Sequence, residues 1–291
     1  MYKIISDWAC DFSLEQVRDK DIHVVPFYIT FDGTTFLKEG VDIGTAEYFA
    51  KIQADKSLFP KTSQPNPQDY MDAMTPYLEA GHDVIIITIA SKLSGSHNSA
   101  IIAQSTLQEE FPDRHIEVVD STTVTAGQAL LVNEVITMRD AGLSLAETAE
   151  KARKIAATAK IYFTLDTLEY LKRGGRVGPT TAMVGNVLGL KPVLQVAGGV
   201  VSQVDSVRGQ KKAAALIIEG LAAALKGQSD KVSVAVGHIA REEEIIAFGQ
   251  QVEKELGTTL ALPHVNVGVT IGAHAGPGAL VVAYVARYTS V

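Results

Sequence analysis

Val84-Ile85-Ile86-Ile87-Thr88-Ile89 runs at once into Ala90-Ser91-Lys92-Leu93-Ser94-Gly95-Ser96. Five branched aliphatics around one threonine leave no polar face. The run therefore reads as a central parallel strand, covered on both sides. The Ser-Gly step closes the loop and opens a helix from about Gly95 to Glu110. The same alternation recurs on either side. Toward the N-terminus, Tyr2–Ser6 and His23–Ile29 are β-rich runs, and Thr45–Ala54 and Pro67–Ala80 read as helices. Asn66 is the N-cap of the second, with Pro67 at its first helical position. Toward the C-terminus come a strand at His115–Val119 and a helix at Ala126–Ala141, stopped by Gly142. Ser144-Leu145-Ala146-Glu147 is a capping box that starts a further helix to about Ala159. This rhythm predicts an open, mostly parallel sheet with helices on both faces.

The second half is built differently. Ile161–Leu165 reads as a strand and Leu168–Lys172 as a helical turn. Pro192–Ala197 and Val200–Val207 flank Gly198-Gly199 as a hairpin. An Ala-rich helix at Gln210–Leu225, a strand at Lys231–Gly237, a helix at Arg241–Glu255 and a strand at Ala279–Arg287 complete it. Hairpins combined with crossovers predict a mixed sheet. The expectation is an α/β protein of two α/β domains. Residues 1–160 form a mostly parallel, three-layer sheet, and residues 161–291 a mixed sheet with helices.

The chain has 291 residues, enough for two such domains with a buried core. With 46% hydrophobic and 20% charged residues, long disordered stretches are excluded. A net charge of −7 argues against a broad nucleic-acid surface. The apolar runs Val84–Ala90 and Ala279–Ala286 are too short to cross a bilayer. The N-terminus reads as a first strand and not as a signal peptide. Cys10, as the one cysteine, excludes an internal disulfide and a Cys-based zinc cluster. The expectation is a soluble, cytoplasmic, metal-free protein.

Three small motifs stand out: Thr62-Ser63-Gln64-Pro65, Ser94-Gly95-Ser96, and Ile271-Gly272-Ala273-His274-Ala275-Gly276-Pro277-Gly278. Hydroxyls at loop-to-helix junctions, with no obvious activating base, suit gripping an anion better than cutting a bond. Ser94 follows the C-terminal end of a strand, the edge where open α/β sheets bind ligands. It either donates to a ligand or caps its own helix. Thr62 lies on a loop stiffened by Pro65 and Pro67, and is either a ligand donor or an ordinary loop hydroxyl. His274 sits among glycines, where the backbone reads as tightly turned. Gly95 and Gly272 would let a ligand approach the backbone closely. Two basic clusters, Lys172-Arg173-Gly174-Gly175-Arg176 and Arg208-Gly209-Gln210-Lys211-Lys212, contrast with the acidic whole.

Other chemistries fit less well. A serine-dependent hydrolase or esterase could use Ser94 with His274, but Lys92 takes the first glycine position of the G-x-S-x-G elbow. Gly185-Asn186-Val187-Leu188-Gly189-Leu190-Lys191 lacks the Gly-Lys-Ser/Thr ending of a Walker A loop. Gly174-Gly175 and Gly198-Gly199 are not dinucleotide fingerprints. Asp7 and Asp11 read as turn-ordering carboxylates in preference to a metal or base pair.

The three motifs are joined by Leu168-Glu169-Tyr170-Leu171-Lys172-Arg173-Gly174-Gly175-Arg176, Leu190-Lys191-Pro192-Val193-Leu194 and Val207-Arg208-Gly209. In this order, from Ser6-Asp7 to Ala283-Tyr284, the chain closely resembles the DegV family of bacterial fatty-acid-binding proteins. The resemblance implies that Thr62 and Ser94 hold the carboxylate of a long-chain fatty acid, with His274 beside the head group. It implies a buried apolar tunnel between the domains, for which Met183, Val187, Leu188, Ile271 and Leu280 are candidates. It implies a lipid carrier and not an enzyme, with no catalytic residue and no cofactor. The partner it implies is a separate ATP-dependent fatty-acid kinase, with the carrier keeping the acyl-phosphate product. Arg173, Arg176 and Arg208 would then serve kinase docking or the phosphate. Transient contact with a membrane surface is compatible with such a carrier. The chain departs from the family pattern at Trp8-Ala9, where a Ser-Thr pair is common, at Asn66 for Ser, and at Val281 for Gly.

Overall fold

The computed structural model describes residues 2–176 and 189–291. Met183, Val187 and Leu188 lie outside the described residues. The first part of the chain runs β1 (Tyr2–Asp7), α1 (Leu14–Asp19), β2 (Ile22–Val25), β3 (Tyr28–Thr30), β4 (Leu37–Lys38), α2 (Thr45–Ala54) and β5 (Lys61–Ser63). It continues with α3 (Pro67–Glu79), β6 (Asp83–Thr88), α4 (Ser96–Glu110), β7 (Ile116–Asp120), α5 (Thr125–Asp140) and α6 (Leu145–Ala156). The later part comprises β8 (Lys160–Thr164), α7 (Glu169–Gly174), β9 (Leu190–Ala197), β10 (Val200–Arg208) and α8 (Gln210–Ala224). It closes with β11 (Val232–Ile239), α9 (Glu242–Leu256), β12 (Val265–Asn266), α10 (Val269–Ala275) and β13 (Ala279–Ala286).

The first sheet has the order β2-β1-β6-β7 and is parallel throughout. The opening run explains itself in this setting. Val84 and Ile86 on β6 pack with Tyr70, Met74 and Leu107 of α3 and α4. Ile85 and Ile87, pointing the other way, join Leu130 and Ala149 of α5 and α6. Each face is buried under helices, so the strand needs no polar side. Ser144 forms the expected capping box, and Asn66 is the expected N-cap, with Asp69 completing a capping box there too.

The second sheet, β10-β9-β8-β13-β11-β12, is antiparallel except for the β11–β12 pair. Leu280, Val282 and Tyr284 of β13 face α8 and α9. Val281, Ala283 and Val285 face inward, toward the cluster that includes α5 and α6. Leu280 is therefore core of the outer layer and does not line the cavity described below.

Three elements differ from the sequence expectations. His23–Ile29 is not one strand. Pro26, without an N–H for a ladder, separates β2 from β3, which joins a small antiparallel sheet ordered β4-β3-β5. Thr62 lies on β5 of that sheet, paired with Ile29, and not on an irregular loop. His274 sits in the last turn of helix α10, not in a tight turn. Gly272 is helical there because a Cβ would come within 2.7 Å of the Phe49 ring of α2. The glycine lets α10 pack closely against α2.

Candidate functional site

The loop after β6, the start of α5, the inner face of the second sheet, β5 and α10 line a cavity of about 330 Å³. Most of its wall is apolar: Phe27, Ile89, Val124, Ile161, Phe163, Val196, Val201 and Val281 contribute. Polar side chains on the lining include Thr62, Ser63, Gln64, Ser94, Arg176 and His274. Val281 thus places a branched side chain on the wall.

Each polar group is held by its own element. Thr62 Oγ1 lies 2.8 Å from His274 Nε2, so β5 and α10 meet side chain to side chain. Burial, with the Arg176 guanidinium nearby, lowers His274 to about 4. The imidazole is therefore neutral at pH 7. Ser94 Oγ accepts from the Ser96 N–H at 3.2 Å, so it satisfies the first N–H of α4, after the Gly95 N-cap, as well as lining the cavity. A hydroxyl that accepts in this way keeps its proton free to donate. Gly95 lies under the Gln64 side chain, whose Oε1 would be 2.3 Å from an added Cβ. Arg176 reaches back across its glycines, with Nε donating to the Leu93 carbonyl at 3.3 Å and a terminal nitrogen to Gly174 at 2.6 Å.

The third residue of the Ser94-Gly95-Ser96 motif has a different task. Buried Ser96 donates to Asp7 Oδ2 at 2.7 Å, and Tyr70 lies 2.7 Å from the Ser96 oxygen. Asp7 also accepts from the Ile89 N–H at 2.9 Å and from Gln128 at 2.8 Å. Burial pushes the Asp7 carboxyl above the usual carboxylate range. This network ties the ends of β1 and β6 to the start of α4. Asp7 is a scaffold of the site and not part of its lining.

A second acidic group lies behind α10. Glu39, 2% exposed, accepts from the Val269 and Thr270 N–H groups at 2.5 and 3.2 Å. Burial raises Glu39 to about 7. Burial and the neighbouring Glu39 charge raise Asp11 well above the carboxylate range. Nothing in the local sequence around Glu39 marks it, because its partners stand 230 residues away.

The basic residues separate. Only Arg176 lines the cavity. Arg173 forks onto Glu169 at 3.1 and 2.7 Å and lies 3.6 Å over the Phe59 ring. Arg208 ends β10 with an exposed side chain. The hydrolase arrangement is not assembled: His274 pairs with Thr62, and its buried Nδ1 has no hydrogen-bond partner among the described residues. The imidazole thus lacks the orienting carboxylate of a triad. Among the described residues, no group of His, Cys, Asp and Glu could hold a metal. No described helix is long and apolar enough to cross a membrane.

A parallel α/β layer joined to a mixed sheet encloses a mostly apolar cavity with several polar side chains on its wall, a shape suited to a small ligand. A family model described as "Uncharacterised protein, DegV family" matches residues 1–287. The chain belongs to the DegV family. It is 31% identical to a DegV domain-containing protein of Clostridium acetobutylicum, over 98% of this chain and 99% of that one. A crystal structure described as a stearic acid-binding protein from Eubacterium ventriosum superposes with a TM-score of 0.95 at 35% identity, covering 100% of both chains. A Thermus thermophilus DegV family protein described by its fatty acid binding gives 0.87 at 28% identity, over 98% of this chain and 99% of that one.

Proposed function

We propose that this protein binds a long-chain fatty acid, with the carboxylate against Thr62, Ser94, His274 and Arg176 and the chain along the apolar wall. The observation that carries this reading is one cavity with a mostly apolar wall that also carries Thr62, Ser94, Arg176 and His274. Burial contributes about 0.8 kcal/mol per CH₂, so sixteen carbons supply on the order of 10 kcal/mol. Net hydrogen bonds supply only about 1 kcal/mol each. The chain gives affinity and the polar groups give orientation. Arg176 adds a positive charge that a neutral His274 does not provide.

In this reading the protein is a carrier without its own chemistry. It presents the carboxylate to a separate ATP-dependent kinase and then holds the acyl phosphate. Residues 1–160 and 161–291 act as two domains around the ligand, in the cytoplasm. Arg173 and Arg208, exposed and outside the cavity, serve the encounter with the kinase. Mass spectrometry of lipid extracted from the purified protein tests the binding step, and a long-chain fatty acid at near one per chain is expected. Incubation with ATP and fatty acid alone should yield no acyl phosphate; turnover without an added kinase rules the carrier role out.

A further inference from the structure

We propose that Glu39 is the positioning residue of the head-group end: it fixes the helix that presents His274 to Thr62 and to the ligand carboxylate. The inference rests on the fatty-acid reading above. Helix α10 is only two turns long, and His274 lies five residues, roughly 7.5 Å, beyond Val269. A rod that short delivers any shift at its start to the imidazole at its end. Its start has no cap of its own, since Gly268 precedes it without a side chain. The Glu39 carboxylate takes that place, accepting from the first two N–H groups of the helix.

Glu39 is itself held rigidly. Its N–H donates to the Phe27 carbonyl at 3.0 Å, and the next residue, Gly40, donates to Ile43 at 2.9 Å. Gly40 has φ +74°, and the Trp8 indole occupies the space where its side chain would be. On the helix side, a Cβ on Gly268 would come within 2.4 Å of Glu39 Oε1 and 2.7 Å of Asp11 Oδ1. Glycine there lets the helix start sit directly on the acids. Trp8 packs over the segment that delivers Glu39. The chain thus runs Trp8 to Gly40 to Glu39 to α10 to His274, ending at the 2.8 Å contact with Thr62.

The test separates head group from chain. Oleate and oleyl alcohol share one hydrocarbon chain, but only oleate carries the carboxylate. In Glu39→Gln, oleate affinity should fall about tenfold, whereas oleyl alcohol should change less than twofold, because the apolar wall is shared among several elements. Val269→Pro attacks the same junction from the helix side, since proline suits the first helical position and removes one donor to Glu39. It should show the same selective loss. If Glu39→Gln does not fold, Val269→Pro decides alone. Equal losses for both ligands, or no loss for either, in a folded variant overturn the proposal. A parent protein that binds neither ligand instead overturns the fatty-acid reading.

Discussion

Thr62 Oγ1 and His274 Nε2 lie 2.8 Å apart although 212 residues separate them in the chain. The contact joins an edge strand of the small β4-β3-β5 sheet to the last turn of α10. A threonine hydroxyl donates one hydrogen bond and accepts up to two, so with the Nε2–H tautomer of His274 donating to it, its own proton is free for a carboxylate. The two residues form one unit of the polar end. Thr62→Val and His274→Gln should each weaken oleate binding by about 1–2 kcal/mol. The double variant should lose clearly less than the sum of the single losses, because partners in contact are not additive. Calorimetric titration of the four proteins measures this coupling, and strictly additive losses show that the residues act apart.

The titration of the site has two opposing signs. His274 stands at about 4 in the folded chain, below its ordinary 6.5. Between these values the unfolded chain binds more protons, so stability rises with pH across the window and is lost as acid is added. Glu39 stands at about 7, above its ordinary 4.5. Between those values the folded chain binds more protons, so this contribution falls as pH rises from 4.5 to 7. Urea titrations at stepped pH should lose the rising component in His274→Gln and the falling one in Glu39→Gln. A His274→Gln protein with the parental slope between pH 4 and 6.5 removes the buried neutral imidazole from the account.

Much of this architecture is legible in local sequence. The apolar run of β6 carries both faces in its composition, and Asn66 and Ser144 announce their helices through caps only four residues long. The polar candidates Thr62, Ser94 and His274 were also visible, as hydroxyls and an imidazole beside Gly or Pro. What local sequence does not carry is long-range contact. Gly272 looks like a turn until Phe49 is placed against it. Glu39 looks like one more surface acid until the helix start 230 residues later is set on it. Arg173 and Arg176 look equivalent in one basic cluster, yet only the second lines the cavity. Leu280 and Val281 are neighbours on β13, and strand alternation puts only Val281 on the wall.

Glycines around α10 should be unequal in their tolerance of a side chain. Gly276 has φ +73° and ψ 177°, a region open essentially to glycine alone. A Cβ there would also lie 2.3 Å from the Tyr170 ring. Gly276→Ala should cost roughly 1–3 kcal/mol through overpacking, with strain added. Gly44, with φ −98° and nothing within 4 Å of an added Cβ, is the control. Gly44 is the N-cap of α2, where glycine is preferred to alanine, so Gly44→Ala should cost only about 0.5–1 kcal/mol and no overpacking. Denaturant midpoints at fixed slope give both numbers, and equal costs at the two positions defeat the packing argument.

The last expectation divides lipid binding from partner use at two arginines three residues apart. Arg176 lines the cavity and stands near a neutral His274, so in the proposed complex its charge acts on the fatty-acid carboxylate. Arg173 is 57% exposed, turned onto Glu169 and stacked on Phe59 outside the cavity. Arg176→Ala should therefore reduce co-purified fatty acid and weaken oleate binding by about 1.5–3 kcal/mol, the range for hydrogen bonds to charged groups. Arg173→Ala should leave bound lipid nearly unchanged yet slow phosphorylation of the bound acid by the partner kinase. Arg173→Lys should recover only part of that rate, because an ammonium cannot form the planar fork or stack on Phe59 as a guanidinium does. Lipid content by mass spectrometry and the kinase-dependent rate are measured on the same preparations. An Arg173→Ala protein emptied of lipid places Arg173 in the head-group site after all. One phosphorylated at the parental rate leaves Arg173 as a solvated surface charge.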